Sequence, residues 1–323
     1  DVMGLNVAII GLSTTDTATT TMPSVVAPLV FTDYAEALRK VMPSVKQLGP
    51  DLIIVISHVC MDELRELASA VADLDIAMMG SGHCNELVAE KIGDTIMLGG
   101  GYHFSSYAKA VIDYDVRSAS VIGSSFTTHQ NSAGSEDAVI AQIVGQWRSL
   151  SKETLAEYLG FSEREWDRSG SELRQTIINS WLEYDVTADV AITNAGGIRS
   201  SIDAGEISLG SVVSMLPFSN TIIATQLSGR VLQRALEQGG RPVFAGLTKA
   251  EGEWIVRRTG MALADDGLYR VLINSFMYDG GDDFGMVAEF DPNGFDMETN
   301  YREPFVQWLK RQNTSPANPL HLD

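Results

Sequence analysis

Leu52-Ile53-Ile54-Val55-Ile56-Ser57 is an unbroken apolar run, and residues 5–12 (LNVAIIGL) form a second run of the same kind. Such runs are typical of strands that a parallel sheet buries on both faces. Between them, residues 33–47 carry a helical pattern, for which Thr32 is a candidate N-cap and Pro43 predicts a kink or break. A strand, a helix and a strand in this order predict a βαβ unit, and with it an α/β fold.

The same pattern repeats directly after the run at 52–57. Asp62 is a candidate cap for an amphipathic helix, and a short strand at 76–79 then ends in Gly80-Ser81-Gly82-His83. His58 and His83 therefore follow the ends of two neighbouring strands. In an open α/β sheet, ligands bind at this carboxyl edge, so both histidines are candidates for a site.

Residues 117–135 are rich in Ser, Thr and Gly, and we place a domain boundary there. The prediction is a first domain over 1–120, a linker over 121–135 and a second domain over 136–323. A chain of 323 residues has room for two such cores. Besides the elements above, we predict strands within 92–114, helices at 136–150, near 171–183 and near 228–238, and strands at 189–193, 221–226 and 269–275.

The composition excludes several classes of protein. A formal net charge of −19 argues against a nucleic-acid surface, which needs clustered Lys and Arg. No apolar run reaches the roughly 18 residues that a membrane span requires. Two cysteines are too few for a disulfide scaffold. We therefore expect no nucleic-acid partner and no membrane span.

Asn194-Ala195-Gly196-Gly197-Ile198-Arg199 is the most informative loop of the second half, because it leaves the predicted strand at 189–193 with almost no side-chain bulk. Two adjacent glycines allow close approach of a ligand to the backbone. Arginine then offers a rigid cationic fork for phosphate, carboxylate or a flat ring. The alternative is a tight turn with a surface salt bridge.

Two further loops combine aromatic and polar residues. Phe218 and Asn220 follow a proline in LPFSN, and Phe276 precedes the Gly-Gly-Asp282-Asp283 turn. Two phenylalanines on separate loops can sandwich a planar ring, while an aspartate accepts hydrogen bonds from sugar hydroxyls. The alternative is that both rings belong to the core and both aspartates are turn residues.

The histidines allow two interpretations as well. His58, His83 and the amide oxygen of Asn85 form a mixed nitrogen and oxygen set that suits a hard or borderline divalent ion. Three such ligands without a carboxylate make a poor site, so a bridging aspartate has to come from elsewhere. Alternatively, both histidines are hydrogen-bonded structural residues.

Taken in order, these motifs resemble the 5′-nucleotidase family of metallophosphoesterases. The similarity rests on VAIIGL followed by TTDT, on Ser57-His58, on Gly82-His83-Cys84-Asn85, on ADVAIT through Arg199, on LPFSN and on NSFMYDGGDDF. The implied fold is α/β (α+β overall): an incomplete metallophosphoesterase α/β sandwich followed by a 5′-nucleotidase-type C-terminal α/β domain.

The resemblance also implies roles for named residues. His58, His83 and Asn85 would be ligands of two divalent metal ions, with Mn, Zn, Mg and Co as the candidates. The substrate residues would be Asn194 and Arg199 for the ribose and polar groups, Phe218 and Phe276 for stacking the base, Asp282 for the ribose hydroxyls, Asn220 and Gly246 for the base pocket, and Arg168.

The implied activity is metal-dependent hydrolysis of nucleoside monophosphates to nucleoside and phosphate, a step of nucleotide catabolism. The family's metal domain begins with an Asp-x-His strand, a Gly-Asp segment that carries a bridging aspartate and an Asn-His pair, and this sequence has no counterpart of these three motifs. We therefore expect the chain to be the larger C-terminal piece of a hydrolase. The catalytic residues would lie on an N-terminal segment, for which a separate chain is one candidate. The resemblance suggests a periplasmic or extracellular location.

Two other activities stay open at this point. One is a catalytically silent nucleotide-binding module. The other is a cyclic-nucleotide phosphodiesterase or nucleotide-sugar hydrolase of the same family. For Cys60 and Cys84, which would lie close if the two strand ends are neighbours, we weigh a disulfide against two free thiols near the metal and favour the thiols.

Overall fold

The computed structural model describes residues 4–132, 134–240 and 242–321. These residues divide into two compact units. The first contains the chain up to Ala18 together with Ala27–Glu136, and the second contains Thr19–Val26 and the chain from Asp137 onward. The ends of the predicted domains at Asp1 and Asp323, and residue 133 of the predicted linker, lie outside the described residues.

The first unit is built on a five-stranded sheet and a separate hairpin. Its elements are β1 (Val7–Ser13), α1 (Thr17–Thr20, which crosses into the second unit), α3 (Tyr34–Gln47), β2 (Leu52–His58), α4 (Met61–Ala70), β3 (Met78–Gly80), β4 (Leu87–Ile92), β5 (Thr95–Gly100), β6 (Ser106–Asp115) and β7 (Ser120–Gln130).

The predicted βαβ units are confirmed. The sheet order is β1-β2-β3-β5-β4, in which β1, β2, β3 and β5 run parallel and β4 pairs antiparallel with β5. Val55 is fully buried on one face of this sheet, where helices α3 and α4 supply Leu38, Met42 and Leu64 to a common core. Parallel pairing brings the carboxyl ends of β2 and β3 to the same edge.

The expectation that β1 and β2 are buried on both faces is wrong. Only the face toward the helices is buried, whereas Ile9 is 64% exposed and Ile56 is 55% exposed on the opposite face. Alternate residues of a strand point to opposite faces, so one uncovered face exposes every second side chain.

Two helix details also differ from the prediction. Helix α3 begins after Asp33, whose carboxylate accepts from the Glu36 N–H at 2.9 Å, so Asp33 and not Thr32 is the N-cap. The helix continues through Pro43, because the buried Leu38 and Met42 hold the turns before the proline against the sheet.

Helix α4 begins earlier than predicted. Cys60 occupies its N-cap position, and Asp62 lies in the first turn, where it pairs with Arg65. An acidic residue in the first turn still stabilises the helix through the helix dipole.

The predicted linker over 121–135 is replaced largely by a strand. Strand β7 pairs antiparallel with β6 from Ser120 to Gln130, and the chain enters the second unit between Glu136 and Asp137. Ser, Thr and Gly are common in loops, but Thr and Ser also suit an exposed hairpin strand when a long partner is available.

The second unit contains a mixed five-stranded sheet with two smaller sheets. Its elements are α2 (Pro23–Val26), α5 (Ala138–Leu155), β8 (Tyr158–Ser162), α6 (Ser171–Tyr184), β9 (Val190–Asn194), β10 (Gly205–Ser208), α7 (Leu209–Met215), β11 (Thr221–Ser228), α8 (Gly229–Gln238), β12 (Pro242–Ala245), β13 (Leu247–Ala250), β14 (Glu253–Val256), β15 (Met261–Ala262), β16 (Leu268–Asn274), α9 (Ser275–Tyr278), α10 (Met286–Phe290), β17 (Phe295–Asn300) and α11 (Glu303–Gln312).

The central sheet of this unit has the order β12-β9-β16-β11-β17. Strands β9 and β16 are parallel, and β12 and β11 run antiparallel to them. The ends of β9 and β16 and the starts of β12 and β11 therefore share one edge. Two buried clusters, around Trp181 and around Phe284, cover the sheet.

Helix α5 opens the second unit with Asp137 as its N-cap, which accepts from the N–H groups of Val139 and Ile140 at 2.9 and 3.0 Å. The helix has no buried residue, and Trp147 is 69% exposed. Among the described residues, neither this helix nor any other combines the length and apolar content needed to cross a membrane.

Candidate functional site

The ends of β2 and β3 bring His58 and His83 together, as the strand pattern predicts. Ile56 pairs with Gly80, and the residues that follow each strand meet at the sheet edge. His83 Nδ1 lies 3.1 Å from His58 Nε2, and the ring centroids are 4.9 Å apart. Two residues 25 positions apart in the chain thus form one pair of imidazoles.

Gly82 makes this contact sterically feasible. A Cβ atom at position 82 would lie 3.0 Å from the Ser57 carbonyl oxygen and 3.2 Å from His58 Nδ1. The Gly82 N–H donates to the Val59 carbonyl at 3.1 Å, and the Ser57 hydroxyl donates to the Gly80 carbonyl at 2.7 Å. The two loops are therefore joined by hydrogen bonds directly beneath the histidines.

The two cysteines form a disulfide, so the prediction of free thiols is wrong. Cys60 and Cys84 have Cα atoms 5.0 Å apart. This distance lies within the range that a disulfide bridges, because the paired strand ends place the following residues side by side.

The histidine pair fits part of a metal site. Two nitrogens bound to one ion at about 2.1 Å lie roughly 3.0–3.4 Å apart, which matches the observed 3.1 Å. Asn85 follows in the same loop, with φ +60°. Within the described residues, no group of three His, Cys, Asp or Glu side chains is arranged to hold an ion. The pair alone does not suffice for two ions.

In the second unit, one sheet edge carries most of the predicted substrate residues. Asn194 ends β9, and the 3-10 turn Ala195–Gly197 follows it. Phe276 follows β16 and Phe218 precedes β11, and the Ser275 hydroxyl joins the two loops by accepting from the Thr221 N–H at 3.1 Å. The antiparallel pairing of β11 and β16 explains why these two loops lie at the same edge.

A buried amide network organises this edge. Asn194 Nδ2 donates to Asp282 Oδ2 at 2.7 Å, and Asn274 Nδ2 donates to Asn194 Oδ1 at 3.2 Å. Asn274 is fully buried, and its Oδ1 accepts from the Met277 N–H as the cap of α9. Sequence reasoning missed Asn274, although an asparagine at the end of a strand before a short helix is a recognisable cap.

Asp282 lies in a tight turn after two glycines and has φ +51°. Burial raises the pKa of its carboxyl, the nearby Asp283 charge adds to the rise, and the hydrogen bond from Asn194 opposes it. One carboxylate oxygen accepts from Asn194, which leaves acceptor capacity for a ligand hydroxyl.

The two predicted stacking rings differ in exposure. Phe276 is half-buried, and its ring lies directly on Gly281, where a Cβ atom would approach its Cζ to 2.3 Å. Phe218 is 44% exposed, and the Arg199 guanidinium carbon lies 5.9 Å from its ring centroid, within cation–π range. Neither ring is fully enclosed in the hydrophobic core, which was the alternative interpretation.

Two arginines fix the loops around Phe218 and Arg199. Arg168 donates from Nη1 to the Arg199 carbonyl at 2.9 Å. Arg302 donates to the Leu216 carbonyl at 3.0 Å and to the Phe218 carbonyl at 3.1 Å. Arg302 escaped sequence reasoning, because nothing local to it points to a loop 84 residues earlier.

Tyr301 links the Asn220 loop to the double-glycine turn. Its N–H donates to the Asn220 carbonyl at 2.9 Å, and its hydroxyl donates to the Gly197 carbonyl at 3.1 Å. Burial raises the pKa of Tyr301 to about 12, so the hydroxyl stays protonated as a donor. Asn220 is therefore placed at the edge through its backbone.

The structure does not bring Gly246 to this edge. Gly246 follows Ala245, which pairs with Ala191 near the start of β9, because β12 runs antiparallel to β9. It lines a separate cleft of about 240 Å³. Gly240 is the glycine at the site: its N–H donates to the Asp282 carbonyl at 2.9 Å. The Gly-Gly pair directly after α8 is the sequence feature that could have pointed to Gly240.

Comparison with known proteins places both the fold and the sequence beside those of 5′-nucleotidases. The family model described as "5′-nucleotidase, C-terminal domain" matches residues 151–289. The match covers 139 of the 323 residues, all of them in the second unit. The predicted relation to the 5′-nucleotidase family and the α/β fold class are thereby confirmed.

Relatives of the domain's family match far more of the chain. A trifunctional nucleotide phosphoesterase protein of Bacillus subtilis (YfkN) is 26% identical over 96% of this chain. A 5′-nucleotidase of Vibrio vulnificus is 23% identical over 88% of it. The chain spans 24% and 63% of the lengths of these two relatives.

A solved structure shows the same fold over nearly the whole chain. The 5′-nucleotidase precursor of Thermus thermophilus superposes with a TM-score of 0.81 at 22% identity, covering 97% of this chain and 71% of that protein. The likeness concerns the fold and includes both described units.

We expect Tyr301→Phe to lower the free energy of unfolding by about 1–2 kcal/mol, because it leaves the buried Gly197 carbonyl without its donor. Denaturant unfolding of both proteins measures this difference. Tyr184→Phe is the control, since its hydroxyl makes a long 3.4 Å contact with Thr299. Equal losses for the two variants would contradict the role of Tyr301.

We expect Arg302→Lys to weaken binding of a nucleoside, the ligand proposed below for this edge, by roughly tenfold, since an ammonium group cannot hold both carbonyls of the Phe218 loop in the planar arrangement of a guanidinium. Isothermal titration measures the dissociation constant. Arg311→Lys, in a surface ion pair with Glu183, is the matched control and should leave binding unchanged. Unchanged binding in Arg302→Lys would rule out this positioning role.

Proposed function

We propose that this chain binds the nucleoside part of a nucleotide and takes part in hydrolysis of its phosphoester. The observation that carries the proposal is the Asn274–Asn194–Asp282 network, which aims a partly buried carboxylate into the edge where Phe218 is exposed. The domain match and the names of the relatives support a hydrolase of the 5′-nucleotidase type.

In this proposal each residue of the edge has one task. Asp282 accepts hydrogen bonds from the ribose hydroxyls, and Asn194 holds the carboxylate in place. The base stacks on the exposed ring of Phe218, with Phe276 as the candidate second ring. Arg199 supplies a cation beside Phe218 that faces the polar groups of the substrate. Stacking discriminates poorly between bases, so a broad range of nucleotides fits this edge.

The first unit would contribute metal ligands. His58 and His83 are the residues that would hold a divalent ion, and Asn85 is a third candidate in the same loop. A divalent ion at such a site polarises a phosphoryl oxygen and activates water. Two nitrogens are fewer than a stable divalent site needs, so we propose that further ligands come from a polypeptide segment outside this chain.

A silent nucleotide-binding module is the second candidate. It is favoured by one observation: in the described part of the chain, no three His, Cys, Asp or Glu side chains are grouped so that they could hold a metal ion. Cyclic nucleotides and nucleotide sugars are further candidate substrates of the hydrolase, because the edge selects the nucleoside and not the phosphate arrangement.

We also propose a periplasmic or extracellular location. The Cys60–Cys84 disulfide supports it, since disulfides persist in oxidising compartments. The Thermus protein with the same fold is described as a precursor, which fits an exported relative.

Nucleoside binding is the direct test of the edge. We expect Asp282→Asn to raise the dissociation constant for a nucleoside by roughly tenfold or more, because it removes a charged acceptor. Asp283→Asn is the matched control: it changes the same chemistry in the neighbouring, exposed residue of the turn. Titration calorimetry measures the dissociation constants of both variants, and equal affinities of the two variants for the nucleoside would exclude Asp282 from the site.

Nucleoside affinity should also depend on pH. The pKa of Asp282 lies above that of an ordinary aspartate, and binding needs the carboxylate, so affinity should fall as the pH drops through this raised pKa. Uridine is a suitable ligand, since its base does not titrate in acid. The Asp282→Asn variant should lose this pH dependence, and a wild-type profile as flat as that of the variant would contradict the assignment.

Phosphate release from AMP with Mn²⁺ tests the hydrolase itself. We expect none from the isolated chain, and release that EDTA abolishes from protein purified together with an N-terminal segment. His58→Ala should then remove phosphate release. The control is His129→Ala, which should keep it, since the His129 ring stacks on Tyr107 and has no place in the proposed site. Protein that binds nucleosides but releases no phosphate with that segment present would identify the silent module.

A further inference from the structure

We infer that the Cys60–Cys84 disulfide is a positioning element of the histidine pair, which makes the proposed metal site sensitive to reduction. The bond would hold the loop that carries His83 against the loop that follows His58. This inference rests on the proposed function, in which these histidines bind a divalent ion.

The covalent bond lies directly beside both rings. Cys60 is two residues after His58, and Cys84 follows His83 without a gap. Their Cα atoms are 5.0 Å apart, while the nearest ring nitrogens are 3.1 Å apart. Any separation of the two loops therefore changes the spacing of the imidazoles.

Backbone hydrogen bonds hold the start of the loop that carries His83, but they do not extend to residues 83–85. Gly82 is anchored by its bond to the Val59 carbonyl, but the Cys84 N–H donates to Gly82, within its own turn. Among the described residues, no backbone hydrogen bond joins residues 83–85 to the loop after β2. Besides the Gly82 hydrogen bond and the contact between the two imidazole rings, the disulfide is the link between these two described segments.

The same loop has an unfavourable backbone conformation. His83 has φ +59° and Asn85 has φ +60°, in the left-handed region that residues with a Cβ atom adopt less often than glycine. The disulfide is the covalent restraint on this loop. We therefore expect His83 to move away from His58 when the bond is cleaved.

Reduction can be carried out selectively. The chain contains only two cysteines, so a reductant acts on this bond alone. Cys84 is exposed and accessible to a small dithiol. Dithiothreitol supplies two electrons and two protons: the sulfur–sulfur bond breaks, both cysteines become thiols, and the reagent closes to its own cyclic disulfide.

The test compares the oxidised protein with the Cys60→Ala/Cys84→Ala variant. Alanine is chosen because free thiols would themselves bind metal. Mn²⁺ is titrated into each protein, and paramagnetic broadening of the five histidine ring signals is followed by NMR. We expect the His58 and His83 signals to broaden at a Mn²⁺ concentration at least roughly tenfold lower in the oxidised protein.

A second readout needs no metal. Loss of the bond should shift the ring resonances of His58 and His83, while those of His103, His129 and His321 stay in place as internal controls. Reversible reduction of the wild type with dithiothreitol should reproduce the shifts, and reoxidation should restore the original spectrum.

The outcomes separate this inference from the proposed function. Identical ring shifts and Mn²⁺ dependence with and without the bond would overturn the inference. Loss of the His103 and His129 signals would overturn it too, since the bond would then hold the whole unit. If Mn²⁺ broadens neither ring in oxidised protein, the two histidines do not hold the ion without the further ligands of the proposed function, and the ring shifts alone decide whether the bond positions the pair.

Discussion

The hydrogen bonds of the Asn194 side-chain amide are the interaction on which the proposed nucleoside-binding edge, formed by the loops of Asn194, Phe218, Phe276 and Asp282, depends. It accepts from the buried Asn274 and donates to Asp282, so both of its ends are fixed and its orientation is determined. A buried amide with either end unpaired costs more than the net value of one hydrogen bond. The turn that carries Asp282 is consequently tied to the ends of two neighbouring strands, and the carboxylate has one defined direction.

Both units place the proposed site residues on loops and restrain those loops by bonds from distant residues. In the second unit the restraints are polar: Arg302 and Tyr301 bind the carbonyls of Phe218 and Gly197. In the first unit the restraint is covalent, through Cys60 and Cys84. Loop residues need such support because a short loop has few buried contacts of its own.

Local patterns predicted most of the secondary structure. The helix near 171–183 and the strand at 221–226 are found at 171–184 and 221–228, since periodicity and flanking turns are properties of the adjacent residues. A linker over 121–135 is predicted where the structure has β7, because β7 forms only by pairing with β6. Burial of β1 on both faces is predicted where one face is exposed, because other segments of the chain decide which face of a sheet is covered.

The sequence by itself determined which residues are candidates for a site: His58, His83 and Asn194 stand at or shortly after predicted strand ends, and Asp282 stands in the Gly-Gly-Asp-Asp turn. The tertiary structure alone decided which of these residues meet. It placed Gly240 at the edge and Gly246 at the opposite end of the strand, and it joined the two cysteines. The physical reason is that strand direction and register, which set these distances, arise from pairing between segments far apart in the chain.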